Sequence, residues 1–130
     1  MPTIDANQLR SFSTSIFFGL GVPETDAGLV AGLLVEANLT GFDSHGVIRI
    51  PRYAKGIKVG AVKPGAEISI VKETLSTAMI DGGWNLGQVV AKYAMNVCIK
   101  KAKKNVVGLV TAKNSHHIGR LNAYAEMAQT

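Results

Sequence analysis

The chain has one cysteine, few aromatic residues and no long apolar run. Cys98 stands alone among 130 residues, which excludes an internal disulfide and fits a reducing compartment. The longest apolar candidate, residues 27–37, is far shorter than a membrane span and carries Glu36 near its end. The amino-terminal residues lack the basic and then apolar order of a signal peptide. We therefore expect a cytoplasmic protein with no membrane partner.

Acidic residues are also scarce, since 9 Asp and Glu stand against 14 Lys and Arg. The resulting charge of +5 suggests nucleic-acid binding, but many of the lysines fall between Lys92 and Lys104, within one predicted amphipathic helix. Aromatic residues make up 6% of the chain and do not alternate with basic residues as stacking platforms would. We expect no nucleic-acid partner, because a modest positive field that attracts a small anionic substrate explains the same charge.

Hydrophobic spacing predicts helices in the first half of the chain. The first helix begins at Asp5, which resembles a capping residue, and its apolar face comprises Leu9, Phe12, Ile16 and Leu20. The second begins at Pro23 and ends at Gly41, with an apolar face of Ala27, Val30, Leu34 and Ala37. A third, short helix is expected to start at Asp43 or Ser44, either of which can cap it.

The second half changes to strand patterns. Residues 67–72 alternate and residues 77–81 follow across a short turn, which predicts a β-hairpin. Residues 86–104 form the clearest helix, and the apolar run 106–111 is typical of a parallel strand buried on both faces. A polar loop and the start of a further helix, residues 121–130, end the sequence.

This order of elements predicts an α/β (α+β) fold, in which amino-terminal helices precede the start of a mixed-sheet domain. We expect two parts, a helical part in residues 1–66 and the beginning of the α/β domain in residues 67–130. Three strands, one of them buried on both faces, do not make a finished domain. We therefore expect a chain that is truncated at its C-terminal end, or a sheet that another chain completes.

The glycines do not form a Rossmann fingerprint, which needs GxGxxG between a strand and a helix. The run Gly19-Leu20-Gly21 lies between predicted helices and lacks the third glycine. Gly82, Gly83 and Gly87 lie between a strand and a helix but have the wrong spacing. Ordinary breaks between elements explain both groups.

The stretch GFDSHGVIRIPRY concentrates polar side chains in an otherwise apolar chain. If a helix begins at Ser44, then His45, Arg49 and Tyr53 share one stripe of it. Such an arginine can hold a carboxylate bidentately, the histidine can exchange a proton near neutral pH, and the serine can orient the imidazole. In the competing interpretation Asp43 or Ser44 is an ordinary cap and the other residues are surface residues.

A second polar group, NSHHIGR, follows the last apolar run. Ligands in α/β sheets bind beyond the carboxyl ends of strands, which favours His116 and His117 as site residues. Adjacent residues rarely ligate one ion, and the sequence has no HExxH pattern or useful carboxylate spacing, so we expect no metal. The alternative is a polar loop capped by Asn114 or Ser115.

The run ANLTGFDSHGVIRIPRY, residues 37–53, resembles the ADLRGxDSHGxxRxPRY signature of the type 2 malate/L-lactate dehydrogenases. That family also includes sulfolactate and ureidoglycolate dehydrogenases and a piperideine-2-carboxylate reductase. Later pieces are similar in order and spacing, namely Asp81-Gly82, Leu86-Gly87-Gln88, Asn114-Ser115, His117 and Gly119. The resemblance covers essentially the whole chain.

The resemblance implies an oxidoreductase that binds NAD or NADP in a non-Rossmann fold. The reaction would transfer a hydride between the nicotinamide and the α-carbon of a small 2-hydroxy or 2-oxo acid of the malate/lactate type. By resemblance, His45 belongs to a Ser–His–Asp relay with Ser44, His117 faces the reacting group, and Arg49 and Tyr53 lie at the substrate. Whether His45 or His117 carries the proton stays open.

The resemblance also assigns residues 1–66 to the substrate and catalytic domain, and it implies a homodimer for the full-length protein. Family members are much longer, so the relay aspartate and most of the cofactor contacts are expected beyond Thr130, and the chain alone is expected to be inactive. His116 stands where the family usually has Asn, and residues 120–122 replace a run of small residues. Two alternatives are a non-catalytic relic or interaction module of the same fold, and an anion- or nucleic-acid-binding helical domain.

Overall fold

The structure, a computed structural model, describes residues 2–129. The chain divides into two compact units, Met1–Gly65 and Ala66–Thr130. The first unit is helical and the second contains a three-stranded mixed sheet, which confirms the predicted fold class. The assignment of substrate and cofactor roles to the two parts stays a prediction. No helix within residues 2–129 has both the length and the apolar character needed to cross a membrane.

The first unit is built on two helices that pack against each other, α1 (Ala6–Gly19) and α2 (Glu24–Leu39). The Asp5 carboxylate accepts hydrogen bonds from the backbone N–H groups of Asn7 (2.9 Å) and Gln8 (3.1 Å), so the predicted N-cap is confirmed. Helix α2 begins directly after Pro23, as predicted. Gly41 follows its end at φ +83°, a left-handed conformation that glycine adopts without steric cost.

The buried face of α2 agrees with the prediction, whereas that of α1 does not. Ala27, Val30, Leu34 and Ala37 are all buried. In α1, Phe12 is 63% exposed, and the buried residues are Ser13 and Phe17. The buried face is therefore one residue further along the chain than predicted. Apolar residues occur on several sides of α1, so periodicity alone did not identify the face that packs.

The predicted third helix is interrupted. Residues 43–49 form two short 3₁₀ turns, Asp43–His45 and Val47–Arg49, and a regular helix, α3 (Ile50–Lys58), starts only after them. Gly46 separates the turns in an extended conformation, φ −90° and ψ −154°. Phe42 precedes the first turn, so the predicted cap at Asp43 or Ser44 is wrong. We call residues 43–49 the histidine turn.

The second unit contains strands β1 (Ser69–Glu73), β2 (Thr77–Asp81) and β3 (Leu109–Lys113), in that order across one sheet. Strands β1 and β2 pair antiparallel with an irregularity between Ile70 and Lys72, which confirms the hairpin. Strands β2 and β3 pair in parallel, and α4 (Gly87–Asn105) connects them and packs on both. The last helix, α5 (Asn122–Met127), lies within the predicted segment, of which residue 130 is outside the described residues.

Strand β3 differs from its prediction in position and in burial. It starts three residues later than the apolar run, because α4 continues to Asn105 and Val106 adopts φ +72° after it. Leu109 is 64% exposed, so β3 is not buried on both faces within the part of the chain described. The face that holds the buried Ala78 and Ile80 of β2 is apolar, and the alternate residues Thr77 and Met79 are exposed.

Candidate active site

The histidine turn places a serine against an imidazole. Ser44 Oγ and His45 Nδ1 are 2.9 Å apart, which is a hydrogen bond. The serine donates to Nδ1 in one ring tautomer and accepts from Nδ1–H in the other. In both cases the bond restricts rotation of the ring. The geometry is that of a serine that orients a histidine, and the catalytic role of the pair stays a prediction.

Arg49 joins the two halves of the same turn. Its Nε donates a hydrogen bond to the backbone carbonyl oxygen of Ser44, at 2.6 Å. The guanidinium is thereby held next to the segment that carries His45, although the two residues do not share a helix as the spacing had predicted. A carboxylate that approached Arg49 would meet its two Nη groups, which can form a fork of parallel hydrogen bonds.

Tyr53 does not belong to an exposed polar stripe. It lies in α3, is 7% exposed, and its ring contacts that of Phe17 with the centroids 6.4 Å apart. The interplanar angle of 39° is a tilted packing of two aromatic rings. The predicted shared stripe of His45, Arg49 and Tyr53 is therefore wrong, because Gly46 interrupts it and Tyr53 packs in the interior. A substrate contact of its hydroxyl stays a prediction.

The second predicted histidine, His117, lies in an irregular segment of the second unit, residues 114–120, which we call the His117 loop. The loop begins at Asn114, whose Nδ2 donates to both carboxylate oxygens of Asp81 at 3.0 and 3.2 Å. The carbonyl of Asn114 accepts from the Trp84 N–H at 2.8 Å. The first residue of the loop is thus attached to the end of β2 and to the turn after it.

Hydrogen bonds also stabilise the ionised form of the Asp81 carboxyl group. The backbone N–H of Gly83 donates to Asp81 Oδ1 at 2.9 Å. That bond, followed by the bond from Asn114 and the nearby Lys113 ammonium, lowers the pKa of Asp81 from its ordinary value of 3.8. Asp81 is an anion at neutral pH and accepts hydrogen bonds from both Gly83 and Asn114.

The centre of the His117 loop passes closely over the start of α4. A Cβ atom added at Gly87 would lie 2.2 Å from the carbonyl oxygen of His117 and 2.4 Å from that of His116. Glycine is required here by close approach of two backbones, which explains this part of the family pattern. The His117 side chain is exposed, and the His116 ring packs against Trp84 with the centroids 5.5 Å apart.

The end of the loop is fixed by side chains from α5. The Tyr124 hydroxyl donates to the carbonyl of Ile118. The buried Arg120 donates from Nη1 and Nη2 to the two carboxylate oxygens of Glu126, at 2.8 and 3.1 Å, and this pair lowers the pKa of Glu126. The unusual Arg120 is therefore part of the loop's support.

Sequence reasoning predicted the histidines as site residues but did not predict the side-chain hydrogen bonds of Asn38, Asp81, Asn114 and Arg120. Asp81 and Asn114 meet across 33 residues, and no local pattern connects them. Among residues 2–129 no group of three His, Cys, Asp or Glu side chains could hold a metal ion.

Comparison with known proteins identifies the family. The family model for malate/L-lactate dehydrogenase matches residues 4–130. The chain belongs to the malate/L-lactate dehydrogenase family. The family resemblance predicted from the DSHGVIR signature is thereby confirmed, and so is membership of a dehydrogenase family.

Relatives in this family differ in the substrate that they are named for. The L-sulfolactate dehydrogenase of Methanocaldococcus jannaschii is 49% identical over 108 residues, which are 83% of this chain and 31% of that protein. The malate dehydrogenase of Pyrococcus horikoshii is 46% identical over 125 residues, which are 96% of this chain and 35% of that protein. This chain therefore spans about a third of the length of the curated relatives it matches.

A solved structure shows the same fold. The malate dehydrogenase of Pyrococcus horikoshii OT3 superposes with a TM-score of 0.95 at 45% identity. The match covers 98% of this chain and 36% of that structure. The order of helices, hairpin, helix, strand and helix described above is therefore the order found in a member of the family.

Proposed function

We propose that this chain carries substrate-side residues of a 2-hydroxyacid dehydrogenase, an oxidoreductase that interconverts a small 2-hydroxy acid and its 2-oxo acid with NAD or NADP. The observation that carries the proposal is the histidine turn, where Ser44 orients His45 and Arg49 is bonded to the same segment. Its signature and fold match a dehydrogenase family, which supports assigning that chemistry to this turn.

The two glycines that follow β2 do not form a phosphate-binding loop. The two glycines after β2 are packed closely, since a Cβ at Gly82 would lie 2.8 Å from the Asn114 carbonyl oxygen and one at Gly83 2.7 Å from that of Glu67. These glycines serve backbone packing and leave no cradle for a pyrophosphate. The cofactor is therefore part of the proposal through the family alone.

His45 is the proposed proton carrier on the first unit. Oxidation of a 2-hydroxy acid removes a proton from the hydroxyl oxygen as the hydride leaves the α-carbon. We assign the proton transfer to the His45 imidazole, which Ser44 Oγ orients through Nδ1. His117 is the second candidate for this role, in a loop of the second unit whose backbone is fixed on both sides of it.

Arg49 is the proposed binding residue for the substrate carboxylate. A guanidinium binds a carboxylate through two parallel hydrogen bonds, which fix the plane of the acid and therefore the position of its α-carbon. Its Nε is already bonded to Ser44, so the carboxylate would be held at a set position relative to His45. The substrate class is thus a small 2-hydroxy or 2-oxo acid.

The test is a turnover assay of the gene product that carries residues 1–130, at the length that the gene encodes. NADH and NADPH oxidation would be followed with pyruvate, oxaloacetate, sulfopyruvate and related 2-oxo acids. We expect turnover with at least one acid, lost in His45→Ala, and a dimer by light scattering. Absence of turnover with every acid and both cofactors would overturn the proposal.

A chimera tests whether this chain itself is competent. Residues 1–130 would replace the matching third of the Pyrococcus horikoshii malate dehydrogenase, whose structure superposes on 98% of the chain. We expect malate oxidation by the folded chimera. A chimera that folds and dimerises but does not turn over would identify the chain as the non-catalytic relic considered above.

A further inference from the structure

Asn38, at the end of α2, bonds to both sides of the histidine turn. Its Nδ2 donates to Asp43 Oδ1 at 2.7 Å, and its Oδ1 accepts the backbone N–H of Val47 at 2.9 Å. A backbone N–H only donates and a carboxylate only accepts, so the orientation of the amide is determined by its two partners. The segment between these two partners contains Ser44 and His45.

Gly46 makes this contact possible. A Cβ atom at Gly46 would lie 2.2 Å from Asn38 Oδ1 and 2.4 Å from its Cγ. The amide therefore occupies the space that any other side chain at position 46 would need. Gly46 is buried although Asp43 and Ser44 are exposed, because the Asn38 amide covers it.

The turn needs such support from outside. Two 3₁₀ turns of three residues each have few internal hydrogen bonds and cannot stabilise themselves as a long helix does. The Ser44–His45 bond is exposed, so water competes with it. A residue that fixes the backbone on both sides of this pair lowers the number of conformations in which the bond is broken.

We propose that Asn38 is a positioning residue for His45, which holds the backbone of residues 43–47 so that Ser44 can orient the imidazole. This proposal deepens the proposed function and rests on it for its catalytic meaning. Asn38 acts through His45 and need not touch the substrate. Its two hydrogen bonds are separable, since the amide oxygen accepts from Val47 and the amide nitrogen donates to Asp43.

The family signature provides a conservative substitution for position 38. It has Asp where this chain has Asn38. A carboxylate at position 38 can still accept from the Val47 N–H, but it would face the Asp43 carboxylate with no proton to donate. Asn38→Asp therefore keeps one bond and removes the other, whereas Asn38→Ala removes both. Alanine is also a better helix former than asparagine, so a change in His45 would not arise from a weakened α2.

The first measurement is NMR of the His45 ring in the intact chain, with ring ¹⁵N shifts followed through a pH titration. Ser44→Ala gives the reference for a broken serine bond. We expect Asn38→Ala to move the His45 Nδ1 shift towards that reference, and Asn38→Asp to move it less. Gly46→Ala should act in the same direction as Asn38→Ala. The matched control is Asn96→Ala, an exposed asparagine in α4, which should leave the His45 shifts unchanged.

The second measurement is turnover in the gene product or the chimera. We expect Asn38→Ala to lower kcat roughly 10-fold with little change in KM, and Asn38→Asp to recover part of it, since misplaced catalytic groups cost rate at the chemical step. If the wild type does not turn over but Asn38→Ala moves His45, the proposed function fails and the positioning role stands. His45 shifts in Asn38→Ala that equal those of the wild type overturn the positioning role, whatever the activity.

Discussion

The two candidate histidines are held in opposite ways. His45 lies in the histidine turn, where its bonding partner is the preceding residue and the turn is fastened by Asn38 and Arg49, all within twelve residues of chain. His117 lies in a loop without regular structure, yet that loop is attached to β2, α4 and α5 by residues up to 33 positions away.

The Ser44 bond acts on the ring of His45, whereas the contacts described for the His117 loop act on its backbone. At His45 the imidazole itself is hydrogen-bonded to Ser44 Oγ, and Asn38 and Arg49 support the backbone of the turn. At His117 the backbone carbonyl oxygens of residues 116 and 117 pack closely against Gly87. The arrangement at His45 suits a ring that must keep one orientation towards a substrate. The arrangement at His117 suits a side chain whose backbone must keep one position.

The largest expected effect comes from removing each histidine in turn. His45→Ala should lower kcat by about 10²–10⁴-fold in the gene product or the chimera, which is the usual loss when an acid/base group is removed. His117→Ala in the same assay decides which histidine carries the proton. The residue whose alanine variant loses more of kcat is the proton carrier.

The control for the two histidine substitutions is that each variant stays folded. Both side chains are at least partly accessible, so neither alanine variant should unfold its unit, which circular dichroism would verify. Turnover of His45→Ala within a few-fold of the wild type would end the catalytic assignment of His45.

The second prediction concerns the close packing of the His117 loop on the start of α4. Gly87→Ala places a Cβ against two backbone carbonyl oxygens that flexible side chains cannot relieve, so the loop must move. We expect a loss of about 1–3 kcal/mol in the free energy of unfolding, as for other overpacked sites. Denaturant titration followed by circular dichroism measures it.

The matched control for this substitution is Gly28→Ala in α2. A Cβ at Gly28 meets nothing within 4 Å, so alanine should stabilise that helix by about 0.5–1 kcal/mol. Equal effects of the two substitutions would contradict the close packing of the His117 loop on α4.

The same contrast explains what the sequence could and could not predict. The family signature, the hairpin, α2 and the cap at Asp5 depend on neighbours in the chain and were predicted correctly. The unbroken helix from Ser44 was wrong, because a contact between Asn38 and Gly46 outweighs helical spacing. Within residues 2–129 β3 is not buried on both faces as predicted, since spacing identifies an apolar strand but not what covers it.

The third prediction concerns the carboxylate and sharpens the role of the histidine turn. Arg49→Lys removes both the fork and the Nε bond to Ser44, because lysine has one terminal ammonium group. We expect kcat/KM for the 2-oxo acid to fall roughly 10-fold or more, mainly through KM, which corresponds to about 1.4 kcal/mol. Steady-state kinetics on the gene product or the chimera measures both parameters.

Arg52→Lys is the control for the loss of an arginine. Arg52 is exposed in the first turn of α3, three residues further along, and should tolerate lysine without a change in kcat/KM. If both substitutions reduce kcat/KM equally, the effect is not specific to Arg49 and its assignment to the carboxylate fails.

The smallest expected effect is a pH dependence at the attachment of the His117 loop. The pKa of Asp81 is lowered in the folded chain, chiefly by the Gly83 N–H and then by Asn114, so the anion is stabilised by folding. That contribution is present above the ordinary value of 3.8 and is lost as the pH falls through the lower folded value. Wild type should therefore exceed Asp81→Asn in unfolding free energy at pH 5–7, and the difference should shrink towards pH 3.

Asn114→Ala tests the origin of this difference. It removes the amide that donates to both oxygens of Asp81 while leaving the Gly83 bond in place. Because Gly83 is the larger cause of the lowered pKa, Asn114→Ala should reduce the pH dependence without abolishing it. A stability difference between wild type and Asp81→Asn that is constant from pH 3 to pH 7 would show that the charge of Asp81 does not hold the loop. The loop would then depend on the packing at Gly87, and the two units would differ less than the hydrogen bonds suggest.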